Sequence, residues 1–441
     1  MSQPFVCRPT SRREFLKHSG VAATGAALAG GLGVARTAHA AGDDLVRVAL
    51  IGCGGRGVGA AVNALANTGH ANVKVVALAD AFQDRVDFAE QALTKRFPEK
   101  VDVPNERKFV GLDCHVGALG AGVDVVLLCG PPGFRPEQFE AAVKAGKHVF
   151  MEKPVATDSP GVRRIMAANE EAKQKNLAVA VGHHLRHEVK HQEAIARIHE
   201  GAIGELCYTR AYFNSTGVWV RPRQPDQTEM QYQTRNWYYF TWLSGDHIVE
   251  QHVHDLDVCN WMANALPVEA NGMGGRQVRT GKDVGEIFDH HFVEFTYANG
   301  LRMFSQCRHQ PGCWNSFSEH AHGTKGYVNI QGHGGAEMVV GEDRVRWDRG
   351  PDGHQVEMDV LFQKIAAGQP HNEGDYGATS TMTAILGRMA TYSGKIVKWD
   401  EALASNLELV PRQLSWDADP GPKPGPDGIY PCAIPGVTQV L

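Results

Sequence analysis

Nine cysteines are present, yet none forms a C-x-x-C pair or a zinc-ribbon spacing, which excludes a thioredoxin-like redox motif and a cysteine-built zinc site. Past the first forty residues no apolar run reaches membrane-spanning length, so a stable membrane span in the mature form is not expected. Charge of neither sign is segregated: 44 Lys and Arg stand against 49 Asp and Glu, a net charge of −5, with no basic stripe and no acidic tail. Nucleic acid is therefore not an expected partner. The 441 residues exceed what one hydrophobic core usually accommodates, and two domains are expected.

The N-terminus carries Ser11-Arg12-Arg13-Glu14-Phe15-Leu16-Lys17, then a weakly apolar Ala/Gly stretch from Val21 to Val34, then Ala38-His39-Ala40. Twin arginines, a short apolar region and a small-x-small cleavage site read as a twin-arginine signal peptide over 1–40. The expectation is a periplasmic or otherwise exported protein, handed folded to the Tat export machinery. Folding before export takes place in a reducing compartment, so the cysteines are expected to be mostly free and buried, with Cys7 in the signal.

Leu45 to Ile51 is a nearly continuous apolar run, as in a strand buried on both faces, and it ends in Gly52-Cys53-Gly54-Gly55-Arg56-Gly57. A helix is expected from Val58 to Asn67, then a strand from Val73 to Ala79 ending at Asp80. In such a turn the first glycine permits the bend, the second admits the pyrophosphate and the third lets helix pack on strand. The free amides at the helix start attract the anion. Asp80 stands where an acid bonds the ribose hydroxyls, which favours NAD over NADP, with Arg85 partly offsetting the repulsion of a 2'-phosphate. Val123 to Cys129 runs into Gly130-Pro131-Pro132, and His148 to Met151 into Glu152-Lys153-Pro154. The cofactor contacts expected are Gly52, Gly54, Gly55, Arg56, Gly57, Asp80, Pro131, Glu152 and Lys153.

With Glu152-Lys153-Pro154, Gly182-His183-His184-Leu185-Arg186 and Gly323-Thr324-Lys325-Gly326 in place, the chain resembles the Gfo/Idh/MocA family, named for glucose-fructose oxidoreductase and inositol dehydrogenase. The resemblance covers nearly the whole mature chain. It implies an α/β protein: an N-terminal Rossmann doubly wound parallel sheet over 41–170, then an α/β domain with a large, mostly antiparallel open sheet over 171–410. That sheet often serves as an interface, so a homo-oligomer is expected. The family further implies a nicotinamide near Lys153, a small carbohydrate or cyclitol substrate, and Lys153 binding the substrate hydroxyl and helping to move its proton. Alternation over Glu205 to Val220 and Ile287 to Tyr297, with Asn299-Gly300 leading into Leu301 to Arg308, supports the second sheet independently.

Asp246 to Ala263 reads as one helix, with Val249, Val253 and Leu256 on an apolar stripe and Glu250, His254, Asp257 and Trp261 on another face. Glu250 and His254 are then neighbours, and a carboxylate beside an imidazole makes a general base working near neutrality. The family usually has Asp-x-x-x-His here, so Glu250 could orient His254, bind a hydroxyl, or serve as an acid toward a leaving group. Lys153, His254 and Glu250 are the expected catalytic residues. His183, Arg186, Trp237, Tyr238 and Asp257 are the expected substrate contacts, although the segment Arg235 to Trp242 equally suits core or interface packing. His252 faces away from Glu250 and His254, since successive residues turn by about 100°. No metal is expected; one built from His254 with His183, His184, His290 or His291 is not selected by spacing. The Pro/Gly-rich segment 411–441 is expected to be an extended arm.

Without a pool of free nucleotide outside the cytoplasm, the hydride should return within one catalytic cycle. The favoured function is an NAD(P)-dependent oxidoreductase acting on a sugar, sugar derivative or cyclitol hydroxyl with a tightly bound cofactor. The alternative is a redox-neutral NAD-dependent glycosidase or lyase similar to glycoside hydrolase family 109. A non-catalytic sugar-binding protein is the third reading.

Overall fold

The computed structural model describes residues 45–67 and 71–441; the expected signal peptide, 1–40, lies outside the described residues. Six parallel strands, β1 Leu45–Ile51, β2 Asn72–Asp80, β3 Lys108–Val110, β4 Val125–Leu128, β5 His148–Met151 and β6 Val179–Val181, form a sheet in the order β3-β2-β1-β4-β5-β6. This is the doubly wound order, with its switch point between β1 and β4. β4 is wholly apolar and buried, and β1 is so from Val48 to Ile51, as a sheet covered on both faces requires. The sheet runs on to β6, past the boundary expected at 170.

The second sheet has nine strands: β7 Leu206–Ser215, β8 Pro267–Gly275, β9 His290–Tyr297, β10 Arg302–His309, β11 Ser316–Gly323, β12 Gly326–Gln331, β13 Ala336–Val340, β14 Asp343–Trp347 and β15 Val397–Lys398. Their order is β14-β13-β12-β11-β7-β10-β9-β8-β15, antiparallel except where β10 lies parallel to β7. In β9 and β10 burial alternates residue by residue, so one face is packed and the other open. Asn299-Gly300 makes the expected hairpin, with Gly300 at φ +86°. The alternation read through to Val220 stops at Ser215, because Gly217 at φ +105° turns the chain out of the sheet.

The helix Gly374–Ser393 packs on both domains' strands, and sixteen of its twenty residues are buried. A helix buried on nearly all sides cannot be recognised by amphipathic spacing. It joins one apolar cluster that includes Val126 and Met151 of the first sheet and Val293, Phe295 and Met303 of the second. Among the described residues, no helix is long and apolar enough to cross a membrane. All eight described cysteines are free; Cys53, Cys114, Cys259 and Cys307 are buried, whereas Cys207 and Cys313 are exposed.

Candidate active site

The glycine loop begins its helix earlier than expected, at Gly55, and the helix runs to Leu65. Its first turn holds no acidic residue and its cap, Gly54, offers no side-chain acceptor, leaving the first amides for an anion. Gly52 has φ +97°, and a Cβ there would lie 2.3 Å from the Gly130 nitrogen. At Gly57 a Cβ would lie 1.8 Å from the Gly52 carbonyl oxygen, whereas Gly54 and Gly55 face open space. Crowding at the first and last positions and room at the middle ones fit a dinucleotide phosphate.

A cavity of about 290 Å³ opens over this loop, lined by Gly52, Gly54, Gly55, Arg56, Gly57, Asp80 and Pro131 among others. Asp80 accepts from the Cys53 amide at 2.7 Å and the Phe82 amide at 3.0 Å; burial nevertheless pushes its carboxyl above the usual carboxylate value. Arg56 reaches out of the loop to the Glu152 carboxylate, and contacts Glu357 at 3.3 Å and His354 at 3.2 Å. Burial opposes ionisation of Glu152, but Arg56 and Lys153 hold its carboxyl below the ordinary range. Trp237, expected on the substrate, lines this cavity instead. Tyr238 is buried, its hydroxyl has no partner among the described residues, and its ring lies 6.0 Å from that of His309.

Lys153, at the carboxyl end of β5, comes together with Glu250: its ammonium donates to the Glu250 carbonyl and, at 3.1 Å, to Oε1. The expected single helix from Asp246 is broken here. His247–Glu250 forms one turn, and the helix proper is Val253–Ala263. Asp246 sits at φ +76° and caps the turn rather than joining it. The break uncouples Glu250 from His254, and Lys153 takes the carboxylate. Of the three roles open to Glu250, orienting His254 has no hydrogen bond to support it among the described residues, whereas its carboxylate pairs with Lys153. His254 instead faces His183 and His184, with ring centroids 5.7 and 4.8 Å away. Burial first, then Lys153, His184 and His183, holds the His254 imidazole well below its ordinary value, so it is neutral at physiological pH.

Within the helix the expected face survives. Asp257 accepts a bidentate pair from Arg186 at 2.8 and 2.9 Å, and the Arg186 guanidinium lies 4.9 Å from the Trp261 ring and 4.1 Å from that of Tyr376. His183 is buried with Nδ1 3.9 Å from Asp257. Burial alone raises the Asp257 carboxyl, but Arg186 and His183 outweigh it and the net direction is down. His252 faces away as spacing requires, bonding Asp255 at 3.0 Å and Ser305 at 2.7 Å.

Asp246, His247 and His291 place ligand-type atoms within 4.8 Å of one another. The Asp246 carboxylate is, however, filled by the Phe288 amide at 3.0 Å, the Tyr392 hydroxyl at 2.6 Å and His247 at 2.7 Å. Burial pushes His247 down to about 4. These groups read as a hydrogen-bonded anchor for the turn that carries Glu250. Of the histidines weighed with His254, the structure brings up His183 and His184, while His291 lies with this anchor.

Many of these imidazoles are buried neutral: His183, His184, His247, His252, His254 and His309 are all depressed, burial being the first cause in each. A folded-state value below the unfolded one contributes stability above about pH 6.5 and loses it as pH falls through that value. His187 and His191 are shifted up by Glu373 and by Glu188 with Glu319, and oppose the trend. The net expectation is a melting temperature that falls as pH drops from about 6.5 toward about 4 in scanning calorimetry, and a flat profile there contradicts it.

His354, Trp219 and Arg221 also belong to the site and carry no local signature in the sequence. His184, part of the Gly182-His183-His184-Leu185-Arg186 motif, and Arg235, which opens the aromatic segment to Trp242, join them there. The others arrive through contacts distant along the chain.

Residues 46–183 match the family described as oxidoreductase family, NAD-binding Rossmann fold, and 191–329 match the GFO/IDH/MocA C-terminal domain. The chain is similar to an inositol 2-dehydrogenase of Rhizobium meliloti, 26% identical over 286 residues, 64% of this chain and 74% of that one. It is also similar to a 2,7-anhydro-N-acetylneuraminate hydratase of Mediterraneibacter gnavus, 26% identical over 219 residues, but these span only 49% of this chain and 51% of the hydratase. Among solved structures, an aldose-aldose oxidoreductase from Caulobacter crescentus complexed with glycerol superposes with a TM-score of 0.63 at 18% identity, covering 80% of this chain and 99% of that one.

Proposed function

Because the chain belongs to the Gfo/Idh/MocA family of oxidoreductases and carries an NAD-binding Rossmann domain, we propose that it oxidises a hydroxyl of a sugar, sugar derivative or cyclitol, and that it keeps its nucleotide through the cycle. The observation that carries this reading is the meeting of Lys153, Glu250 and a neutral His254 from two domains. A bound nicotinamide nucleotide, held over the glycine loop by Gly52, Gly54, Gly55, Gly57 and Asp80, would supply the capacity to take up and give back a hydride. Lys153, held by Glu250, binds the hydroxyl oxygen. His254 takes the hydroxyl proton, so the alcohol loses a hydride and a proton together and becomes a carbonyl. Return of the hydride, to a second carbonyl substrate or to a later intermediate, regenerates the starting state. Export through the twin-arginine signal supplies the reason to retain the nucleotide. Asp80 in the cavity supports NAD over NADP.

A second reading, a redox-neutral lyase or glycosidase, is favoured by the similarity to the hydratase. The deciding experiment uses the protein purified from its cells. Bound nucleotide released by acid is quantified, and aldose pairs and nitrophenyl glycosides are offered without added cofactor. Hydride passing between two sugars is the expected result; nitrophenol release with no net NADH selects the second reading. A preparation empty of nucleotide overturns retention. In the same preparation Asp80→Ala should lower the NAD to NADP binding ratio, and an unchanged ratio would show that the ribose contact lies elsewhere.

A further inference from the structure

The glycine loop forms only one wall of the nucleotide cavity. The opposite wall comes from the second domain, in the stretch between Gly217 and Thr241: Trp219, Arg221, Thr234, Arg235 and Trp237 all line the space that Asp80 and Phe82 close from below. We propose that this stretch and the arm 411–441 together form a strap that locks the dinucleotide into the folded enzyme, with Arg235 as its clasp. The inference rests on reading the cavity as the site of a retained nucleotide.

The clasp is geometric. Arg235 makes a bidentate pair with Asp84 at 2.7 and 2.6 Å, and its guanidinium lies 3.7 Å from the centre of the Phe82 ring. Asp84 opens the helix that follows β2, so this contact ties the roof to the ribose end of the Rossmann domain. A carboxylate pair with 28% and 57% of its side chains exposed is worth little by itself. The arm supplies the rest.

Trp416 lies 5.3 Å from Phe82, and its carbonyl accepts from Thr228 Oγ1 at 2.7 Å. Pro422 accepts from Gln233 at 2.7 Å. Tyr430 is 1% exposed; its hydroxyl donates to Glu229 at 2.7 Å and its carbonyl accepts from Arg276 at 2.8 Å. The contacts to Thr228, Glu229 and Gln233 fall on the short helix Glu229–Arg235 and its cap, and that helix ends at the clasp. The same aromatic cluster contains Phe134 of the first domain, Tyr232, Phe240 and Trp242 of the roof, and Leu414 and Trp416 of the arm. An arm rich in proline and glycine has no ladder of its own to hold it, so its order derives from this docking. Opening the roof then requires undocking the arm, and the two steps cost free energy together rather than separately. Nucleotide release is slowed by that coupling.

The test follows exchange of bound nucleotide for radiolabelled NAD in the full-length protein as isolated, with total nucleotide counted after acid release. In the unaltered protein exchange should be slow. Asp84→Asn, which breaks the clasp on the far side from the cavity, should raise the exchange rate by about two- to fivefold, and deletion of 411–441 by about tenfold or more. Circular dichroism establishes that each is folded; if the deletion fails to fold, Asp84→Asn and Trp416→Ala decide. Slow exchange in the parent with unchanged exchange in the folded variants overturns the strap and leaves retention standing. Fast exchange in the parent overturns retention, and with it the lock.

Discussion

Lys153→Ala is expected to lower kcat by about 10²–10⁴-fold while the nucleotide stays bound, and His254→Ala should do the same. Neither side chain lines the cavity over the glycine loop, so nucleotide content after purification should match the unaltered protein. The two losses have different origins. Removing Lys153 leaves the Glu250 carboxylate without its ammonium, next to the place where a hydroxyl must bind. Removing His254 takes away an imidazole that burial holds unprotonated at neutral pH, at the expense of its basicity. The double variant should fall little below either single one, because groups acting on one proton transfer are not additive. Turnover within about tenfold of the parent in either single variant would remove that residue from the proposed chemistry.

Gly57→Ala should lose both nucleotide and stability. The added Cβ would meet the Gly52 carbonyl oxygen at 1.8 Å, and the obstacle is backbone rather than the end of a side chain. Helix and loop must separate, and overpacking of this kind costs about 1–3 kcal/mol before any ligand is considered. Gly54→Ala provides the contrast, since nothing lies within 4 Å of a Cβ there. Its melting temperature without nucleotide should stay near that of the parent while affinity for NAD falls, because the methyl occupies the room through which phosphate approaches. Equal thermal shifts in the two variants would show that crowding does not separate the roles of these glycines.

The nucleotide domain was legible because its signals are local. β1 follows the apolar run residue for residue, and the glycine turn, Asp80 and Glu152-Lys153 fall at strand ends as expected. The register of the second sheet was legible through alternation in β9 and β10. What local pattern could not carry was interaction across distance. Continuous helical spacing from Asp246 to Ala263 concealed a break whose partner, Lys153, lies 97 residues away. Trp237 belongs to the nucleotide wall because Arg235 beside it meets Asp84, 151 residues earlier. Composition marked 411–441 as irregular but said nothing of where it docks. The long helix Gly374–Ser393 has no polar face for a periodicity to reveal.

The one parallel neighbour pair in the second sheet has a wider meaning. The chain leaves that sheet at Ser215 and re-enters it at Pro267, on β8, which runs in the same direction as β7 because β10 and β8 both lie antiparallel to β9. Between those points it makes the roof, the turn bearing Glu250 and the helix bearing His254. Parallel strands cannot be joined by a tight hairpin, so an excursion of some length is obligatory at this seam. Chemistry has been lodged in a detour that the architecture demands anyway. Within that detour the exposed stretch 222–226 pairs with no strand and carries neither Arg235 nor the Asp246 anchor, which makes it the natural place to insert a graft when a different guest molecule is wanted.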